Sequence, residues 1–137
     1  MMRLENVGSF FEMDVAIKQG QSAQNHGDAF VTVNLSSGGF GGQCGAWVSG
    51  PEFSAFRAAL VSLERSLKGE AMLESISPGS LKFKIYPANN RGHLAIEGST
   101  GHHVFEERKN FWHSVSFGFT FEPQQLTRAM SLPWMSE

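Results

Sequence analysis

The chain has 137 residues, of which 41% are hydrophobic, and its 11 basic and 13 acidic residues leave a net charge of −2. This apolar mass excludes a disordered chain. The balanced charge excludes a general nucleic-acid binder, and the single cysteine excludes a disulfide framework or a multi-cysteine metal site. No apolar run approaches the roughly 20 residues of a membrane span, and no apolar signal core follows Met1. We therefore expect one soluble cytoplasmic domain over residues 1–137.

Two runs near the start of the chain alternate in hydrophobicity with a period of two, which predicts β-strands. They cover residues 11–17 and 31–35. The polar residues 18–28 between them are interpreted as a surface connection. The glycine-rich residues 38–45 lack the Lys-Ser/Thr ending of a phosphate loop, and no helix follows them directly. We interpret them as a bulged hairpin or a mobile loop.

A capping box marks one helix, because Ser49 can cap its N-terminus and Glu52 can reach back to it. Pro51 lies in the first turn, where its missing N–H costs nothing. Gly69 supplies a C-terminal stop, so the predicted helix spans residues 50–68. Its apolar stripe, at spacings of three and four residues, consists of Phe53, Phe56, Leu60, Leu63 and Leu67.

Strands with hairpin turns fill most of the chain after the helix. The alternating runs cover residues 81–86, 94–97 and 111–121. Turn residues lie at 77–79, 89–92 and 98–101. We predict an α+β fold in which a strongly curved antiparallel sheet of about six or seven strands packs on the main helix. A short C-terminal helix is predicted to begin at Pro123 and to stop at Pro133.

Residues with catalytic or metal-binding chemistry lack the partners that such chemistry needs. Cys44 has no cysteine-hydrolase signature around it, so we interpret it as a small packed residue. His102 and His103 would point to opposite faces of a strand, which makes them poor joint metal ligands, and we expect an exposed turn pair. His113 falls on the aromatic face of the last strand, where we expect a core histidine or a pocket residue. The sequence predicts no catalytic residue, no metal site and no cofactor.

Two groups of residues are candidate binding sites. The outward positions of the central hairpin combine charges with a tyrosine, as interface anchors do. These positions are Lys82, Lys84, Tyr86, Arg91 and Glu97. The alternative is a small-ligand pocket inside the curved sheet. It would be lined by Phe83, His113, Phe117 and Phe119. An open sheet edge could also pair two chains into a homodimer.

The order of these features follows a pattern along the chain. A strand pair leads to Gly41-Gly42 and to Trp47-Val48, and the capped helix follows. Next come Ser77-Pro78-Gly79, residues 91–98 and the closing residues 115–119. In this order the chain resembles the small bacterial immunity proteins of the WapI type, over about residues 11–130.

The resemblance implies a non-enzymatic protein that binds and neutralises the toxin domain of a contact-dependent or secreted bacterial toxin. It identifies no catalytic residue, because its motifs are turn glycines, a helix cap and alternating strands. The first hypothesis is therefore a protein-binding module whose partner is a toxin domain, with neither nucleic acid nor membrane as a partner. The alternative is a small-ligand-binding domain with an aromatic pocket.

Overall fold

The computed structural model describes residues 1–18 and 27–136. Most of the polar connection predicted over residues 18–28 lies outside the described residues. The elements in chain order are β1 (Met2–Asn6), β2 (Ser9–Ile17), β3 (Ala29–Ser37), β4 (Phe40–Val48), α1 (Gly50–Ser66), β5 (Ala71–Glu74), β6 (Leu81–Pro87), β7 (Leu94–Glu106), β8 (Lys109–Phe121), α2 (Pro123–Ala129) and α3 (Pro133–Ser136).

The strands form two antiparallel sheets of four, and neighbours in each sheet are also neighbours along the chain. Sheet A contains β1 to β4, and sheet B contains β5 to β8. The predicted α+β class, with antiparallel strands and one main helix, is confirmed. The strands divide into two sheets, because α1 separates β4 from β5 and so no hairpin joins these two strands. The short strands β1 and β5, of 5 and 4 residues, carry too little alternation to be recognised in the sequence.

Helix α1 is capped at its N-terminus and is tied to sheet B by a hydrogen bond. Ser49 Oγ accepts a hydrogen bond from the Glu52 N–H at 3.3 Å, which confirms the predicted N-cap. The Glu52 carboxylate accepts from the Glu74 N–H at 3.2 Å, so it ties α1 to β5. The helix is capped by Leu67, whose φ of 53° is left-handed. It therefore ends slightly before the predicted stop at Gly69.

A cluster of aromatic rings joins the two sheets and the helix. The ring of Phe11 in β2 lies 4.9 Å from that of Phe83 in β6 and 5.5 Å from that of Phe117 in β8, between centroids. Phe56 of α1 meets Phe83 edge-on at 5.6 Å. All four rings are buried, so the core lies between the sheets and under α1. The buried positions of α1 are Phe53, Phe56, Leu60 and Leu63.

The glycine-rich segment forms a tight hairpin between β3 and β4. Gly38 and Gly39 make the turn, with φ values of 59° and 89° that favour glycine. Pairing starts with Ser37 opposite Phe40 and continues without a bulge to Ala29 opposite Val48. Residues 38–45 therefore form a hairpin, as the first of the two interpretations predicted, but without a bulge. Residues 40–45 belong to β4.

The two C-terminal helices lie against β1 and α1. Helix α2 begins at Pro123, as predicted, and Gln125 Oε1 accepts a hydrogen bond from the Glu5 N–H of β1 at 2.7 Å. Pro133 begins the short helix α3. The Trp134 ring of α3 lies 5.8 Å from the Phe53 ring of α1, so the end of the chain covers one side of the core.

β7 and β8 form the longest hairpin, in which 13 residues of each strand pair without interruption. The turn predicted at residues 98–101 is wrong, because β7 runs straight through it. The chain reverses instead at Glu107 and Arg108, where Glu107 adopts a φ of 55°. β7 consequently continues well past its predicted end at residue 97, whereas β8 agrees closely with the strand predicted over residues 111–121.

Gly98 and Gly101 explain why this turn was predicted in the wrong place. A Cβ on Gly98 would collide with the Lys82 carbonyl oxygen, and a Cβ on Gly101 would collide with the Trp112 ring. Glycine inside a strand often marks a place where another backbone or a ring approaches closely. In the sequence alone, such a glycine looks the same as a turn glycine.

We expect Phe56→Ala to lower the free energy of unfolding by about 3–5 kcal/mol, because it removes a buried ring that contacts Phe83. Urea denaturation followed by circular dichroism measures this loss. The control is Ser54→Ala on the exposed side of the same helix, which should change the free energy by less than about 0.5 kcal/mol. A loss for Phe56→Ala no larger than that of the control would contradict the placement of this helix face.

Candidate protein-binding surface

Four of the five predicted surface residues share one face of sheet B. On β6 the buried positions alternate with Lys82, Lys84 and Tyr86, which therefore point away from the core. Glu97 of β7 lies directly opposite Lys84 in the strand register. We call the surface that these four residues define the outer face of sheet B. Arg91 is in the turn between β6 and β7, where a local hydrogen bond holds its backbone.

The charges of the outer face are paired with one another. Lys84 Nζ lies 3.5 Å from Glu97 Oε1 and 5.1 Å from the centroid of the Tyr86 ring. Lys82 Nζ lies 3.3 Å from Glu74 Oε2. A hydrogen bond to Glu97 raises the pKa of the Tyr86 hydroxyl, which keeps this hydroxyl a donor. Exposed pairs of this kind contribute little to stability and are available to exchange partners across an interface.

A shallow open groove of about 490 Å³ lies on the outer face. Gly98 lines it and contributes no side chain. Its other lining residues are Met72, Lys82, Phe83, Lys84, Glu97, Ser99, Ser116 and Phe117. The groove therefore offers space for a partner's side chain between two cations, one carboxylate and two hydroxyl groups.

The far end of the β7–β8 hairpin carries exposed aromatic side chains. We call residues 102–113 the hairpin tip. Phe105 is 76% exposed, Phe111 is 45% exposed and Trp112 is 44% exposed. A cluster of large apolar side chains in water marks an interaction site, and aromatic residues are enriched at protein interfaces. The tip is therefore a candidate contact surface, with Trp112 and Phe105 on one face of the hairpin and Phe111 on the other.

The outer face continues into the hairpin tip. His103 and Trp112 are opposite each other in the register, and their ring centroids lie 4.8 Å apart. Phe105 lies two residues further along the same strand and so shares this face. Trp112 is anchored to the body of sheet B, since a Cβ added to Gly79 would lie 3.2 Å from its ring. One continuous surface thus runs from the paired charges at Lys84 to Trp112 and Phe105, while Phe111 lies on the opposite face of the hairpin.

The β7 side of the tip was not predicted, because the turn expected at residues 98–101 ended that strand too early, whereas residues 111–113 lie in the last strand as predicted. One sequence signal could have indicated it. Phe111 and Trp112 are adjacent, and adjacent strand residues point to opposite faces. A strand with bulky apolar groups on both faces must either be covered on both sides or project into solvent.

Two of the four residues of the alternative ligand pocket, Phe83 and Phe117, line the open groove of the outer face, but the four together do not surround one cavity. Phe83 and Phe117 lie in the core, and the Phe11 ring fills the space between them. Phe119 is partly buried and packs against the same core. His113 lies apart from these three rings, on the exposed tip.

The exposure of His113 corrects the expectation of a core or pocket histidine. The inner face of the β7–β8 hairpin is the face that packs toward sheet A. Sheet A covers this face as far as Val115, which packs closely against Gly42: a Cβ added to Gly42 would lie only 3.1 Å from Val115 Cγ1. Beyond this point the hairpin projects, and the His113 ring stacks on that of His102 at 6.1 Å. His103 lies on the opposite face, as the alternation predicts, although in a strand and not in a turn.

A comparison with known protein families identifies the chain. The sequence model described as "Immunity protein WapI-like family" matches residues 3–131. The chain belongs to the WapI-like immunity protein family. The resemblance found over about residues 11–130 is thus confirmed over nearly the whole chain. No curated protein and no solved structure matches the chain. None of the described helices is long and apolar enough to cross a membrane.

In this WapI-like immunity protein, Cys44 and His93 are held by their surroundings. Burial raises the pKa of the Cys44 thiol, although a hydrogen bond with Thr100 opposes the shift, so the unreactive thiol form predominates at neutral pH. His93 uses both ring nitrogens, with Nδ1 3.1 Å from Asn89 Nδ2 and Nε2 3.2 Å from Glu122 Oε1. Among the described residues, no three His, Cys, Asp or Glu side chains are grouped to hold a metal ion.

We expect Lys84→Glu to lower the free energy of unfolding of this WapI-like protein by no more than about 1 kcal/mol, because the Lys84–Glu97 pair is exposed to water. Thermal denaturation measures the change. The double variant Lys84→Glu/Glu97→Lys restores opposite charges across β6 and β7 and should recover the wild-type value. A loss above about 3 kcal/mol would mean that a buried charge had been disturbed, and that this face is not exposed.

Proposed function

We propose that this protein neutralises a cognate bacterial toxin domain by binding it and covering its working surface, without catalysing a reaction. The observation that carries the proposal is the continuous exposed surface formed by the outer face of sheet B and the hairpin tip. Membership of the WapI-like immunity protein family supports a toxin as the partner. A toxin domain that acts inside the cell would be met in the cytoplasm, where we place the protein.

The aromatic side chains of the tip are suited to anchor the complex. Few residues contribute most of the binding energy of an interface, and they are typically aromatic or arginine residues that become fully desolvated. Trp112 is held in place by Gly79, Gly101 and His103, so little conformational entropy remains to be lost on binding. Phe105 is mostly in water before binding, so its burial contributes the largest hydrophobic gain of the tip.

The paired charges of the outer face are suited to select the partner. Lys82 and Lys84 are each held by one carboxylate, which leaves further donor capacity on both ammonium groups. A toxin surface with carboxylates opposite these lysines would be bound, and a surface with cations there would be repelled. An interface of standard size buries about 1,200–2,000 Å² in total.

The filled core favours a protein partner over a small ligand. Phe11 occupies the position between Phe83 and Phe117 where an enclosed ligand would have to lie. Small-molecule sites are concave and enclose most of the ligand surface, whereas the groove on the outer face is shallow and open. The surface is therefore suited to contact another protein.

Affinity capture of the tagged protein from its native cell lysate, followed by mass spectrometry, tests the proposed function. We expect one toxin domain in stoichiometric amount, and we expect its purified form to lose activity completely at an equimolar ratio. Inhibition by far less than one equivalent would indicate that the protein modifies the toxin catalytically, which would contradict the proposal. Release of a small molecule on denaturation, with no protein partner, would favour the ligand-binding alternative.

We expect Phe105→Ala to weaken toxin binding about tenfold or more, because it removes an aromatic anchor of the tip. Isothermal titration calorimetry with the captured toxin domain measures the affinity. The matched control is Phe40→Ala in β4, which removes a ring that is also highly exposed, at 71%, but lies on sheet A. Equal losses in the two variants would mean that the tip has no special part in binding.

A further inference from the structure

β8 is the last strand of sheet B and has β7 as its one neighbour in that sheet. Along an antiparallel strand, the N–H and C=O groups of alternate residues point to opposite edges. Gly118 exposes both groups to the edge away from β7, where they bond to Ser37 Oγ, and the Thr120 carbonyl accepts from Asn6 Nδ2 at 2.8 Å. Because pairing with β7 is unbroken, four further residues point to the same edge. They are Asn110, Trp112, Ser114 and Ser116.

Sheet A covers this edge only in part. Ser37 and Asn6 reach it at Gly118 and Thr120, but no hydrogen bond within the described residues reaches it between residues 110 and 116. Natural proteins protect open edges with charges, prolines, bulges or very short strands. Residues 110–116 contain no acidic residue, lysine, arginine or proline, and their pairing with β7 contains no bulge. This segment is therefore an unprotected template for another strand.

We infer that a second copy of this chain covers the open edge of β8, by antiparallel pairing of residues 110–116 of the two copies. His113 is the middle residue of the open segment. A two-fold axis at His113 therefore pairs all seven residues of the segment with those of the other copy. Asn110 of each copy then lies opposite Ser116 of the other. The pairing ends where Ser37 and Asn6 already occupy the edge. It can form up to about eight backbone hydrogen bonds.

The side chains along this register are complementary. Each Trp112 lies opposite a Ser114, and each Phe111 lies opposite a Val115, so a large group meets a small or β-branched one on both faces. Aromatic and β-branched side chains are favourable cross-strand partners. No Asp, Glu, Lys or Arg is present in the segment, so no such charges oppose each other. The open edge is thus complementary to itself.

This inference does not depend on the proposed function, because the dimer uses backbone groups at an edge and the toxin would contact a face. A two-fold axis perpendicular to the sheet places both outer faces on the same side of one eight-stranded sheet. Dimerisation therefore leaves the outer face of each copy accessible and places the two outer faces side by side.

Analytical ultracentrifugation of the purified chain, between about 1 and 100 µM, tests the dimer. We expect a reversible monomer–dimer equilibrium. His113→Lys places two ammonium groups opposite each other at the axis and should weaken dimerisation by about tenfold or more. The matched control is His102→Lys, which adds the same charge on the same face but one strand away from the edge, and it should leave the equilibrium nearly unchanged.

Hydrogen exchange of the wild-type chain tests the register independently of any variant. The amides of Trp112, Ser114 and Ser116 should become protected as the concentration rises, while odd-numbered amides of β8 are protected throughout by β7. A monomer at all concentrations, or a dimer whose edge amides exchange freely, would overturn the inference. Protection that arises only when a toxin domain is added would also overturn it and would identify a partner's strand as the occupant.

Discussion

The unbroken pairing of β7 with β8 is the constraint on which the surface of this protein depends. The two strands stay in register over their full length, and the glycines at 98 and 101 allow the Lys82 backbone and the Trp112 ring to approach them closely. Sheet A covers the inner face of this hairpin only as far as Val115. The rest of the hairpin therefore projects, and its aromatic side chains are exposed because no second layer of the described residues covers them.

The aromatic core holds the buried part of the β7–β8 hairpin in place between sheet A and α1. Phe11 from sheet A lies between Phe83 and Phe117 of sheet B, and Phe56 of α1 closes the cluster. Interiors packed in this way resist deformation, so the outer face and the tip keep their relative positions. The same packing leaves no space for an enclosed ligand between these rings.

Two properties of one hairpin support two different interactions. Its side chains belong to the outer face and the aromatic tip, which we propose contact a toxin domain, while the backbone of β8 forms an open edge that we propose pairs with another strand. Trp112 belongs to both, since its ring lies on the outer face and its amide points to the edge. The interactions are nonetheless geometrically separate, because a face and an edge of a sheet are perpendicular to each other.

Local signals in the sequence determined the cap at Ser49, the buried stripe of α1, the alternating strands and the family to which the chain belongs. They also placed Lys84 and Glu97 correctly on one face, because strand alternation is a local property. Only the tertiary structure decided that there are two sheets, that residues 98–101 continue a strand, and that His113 is exposed. The physical reason is that burial depends on where the opposite layer ends. That limit is set by contacts such as Gly42 with Val115, between residues far apart in the chain, and no periodicity within one strand encodes it.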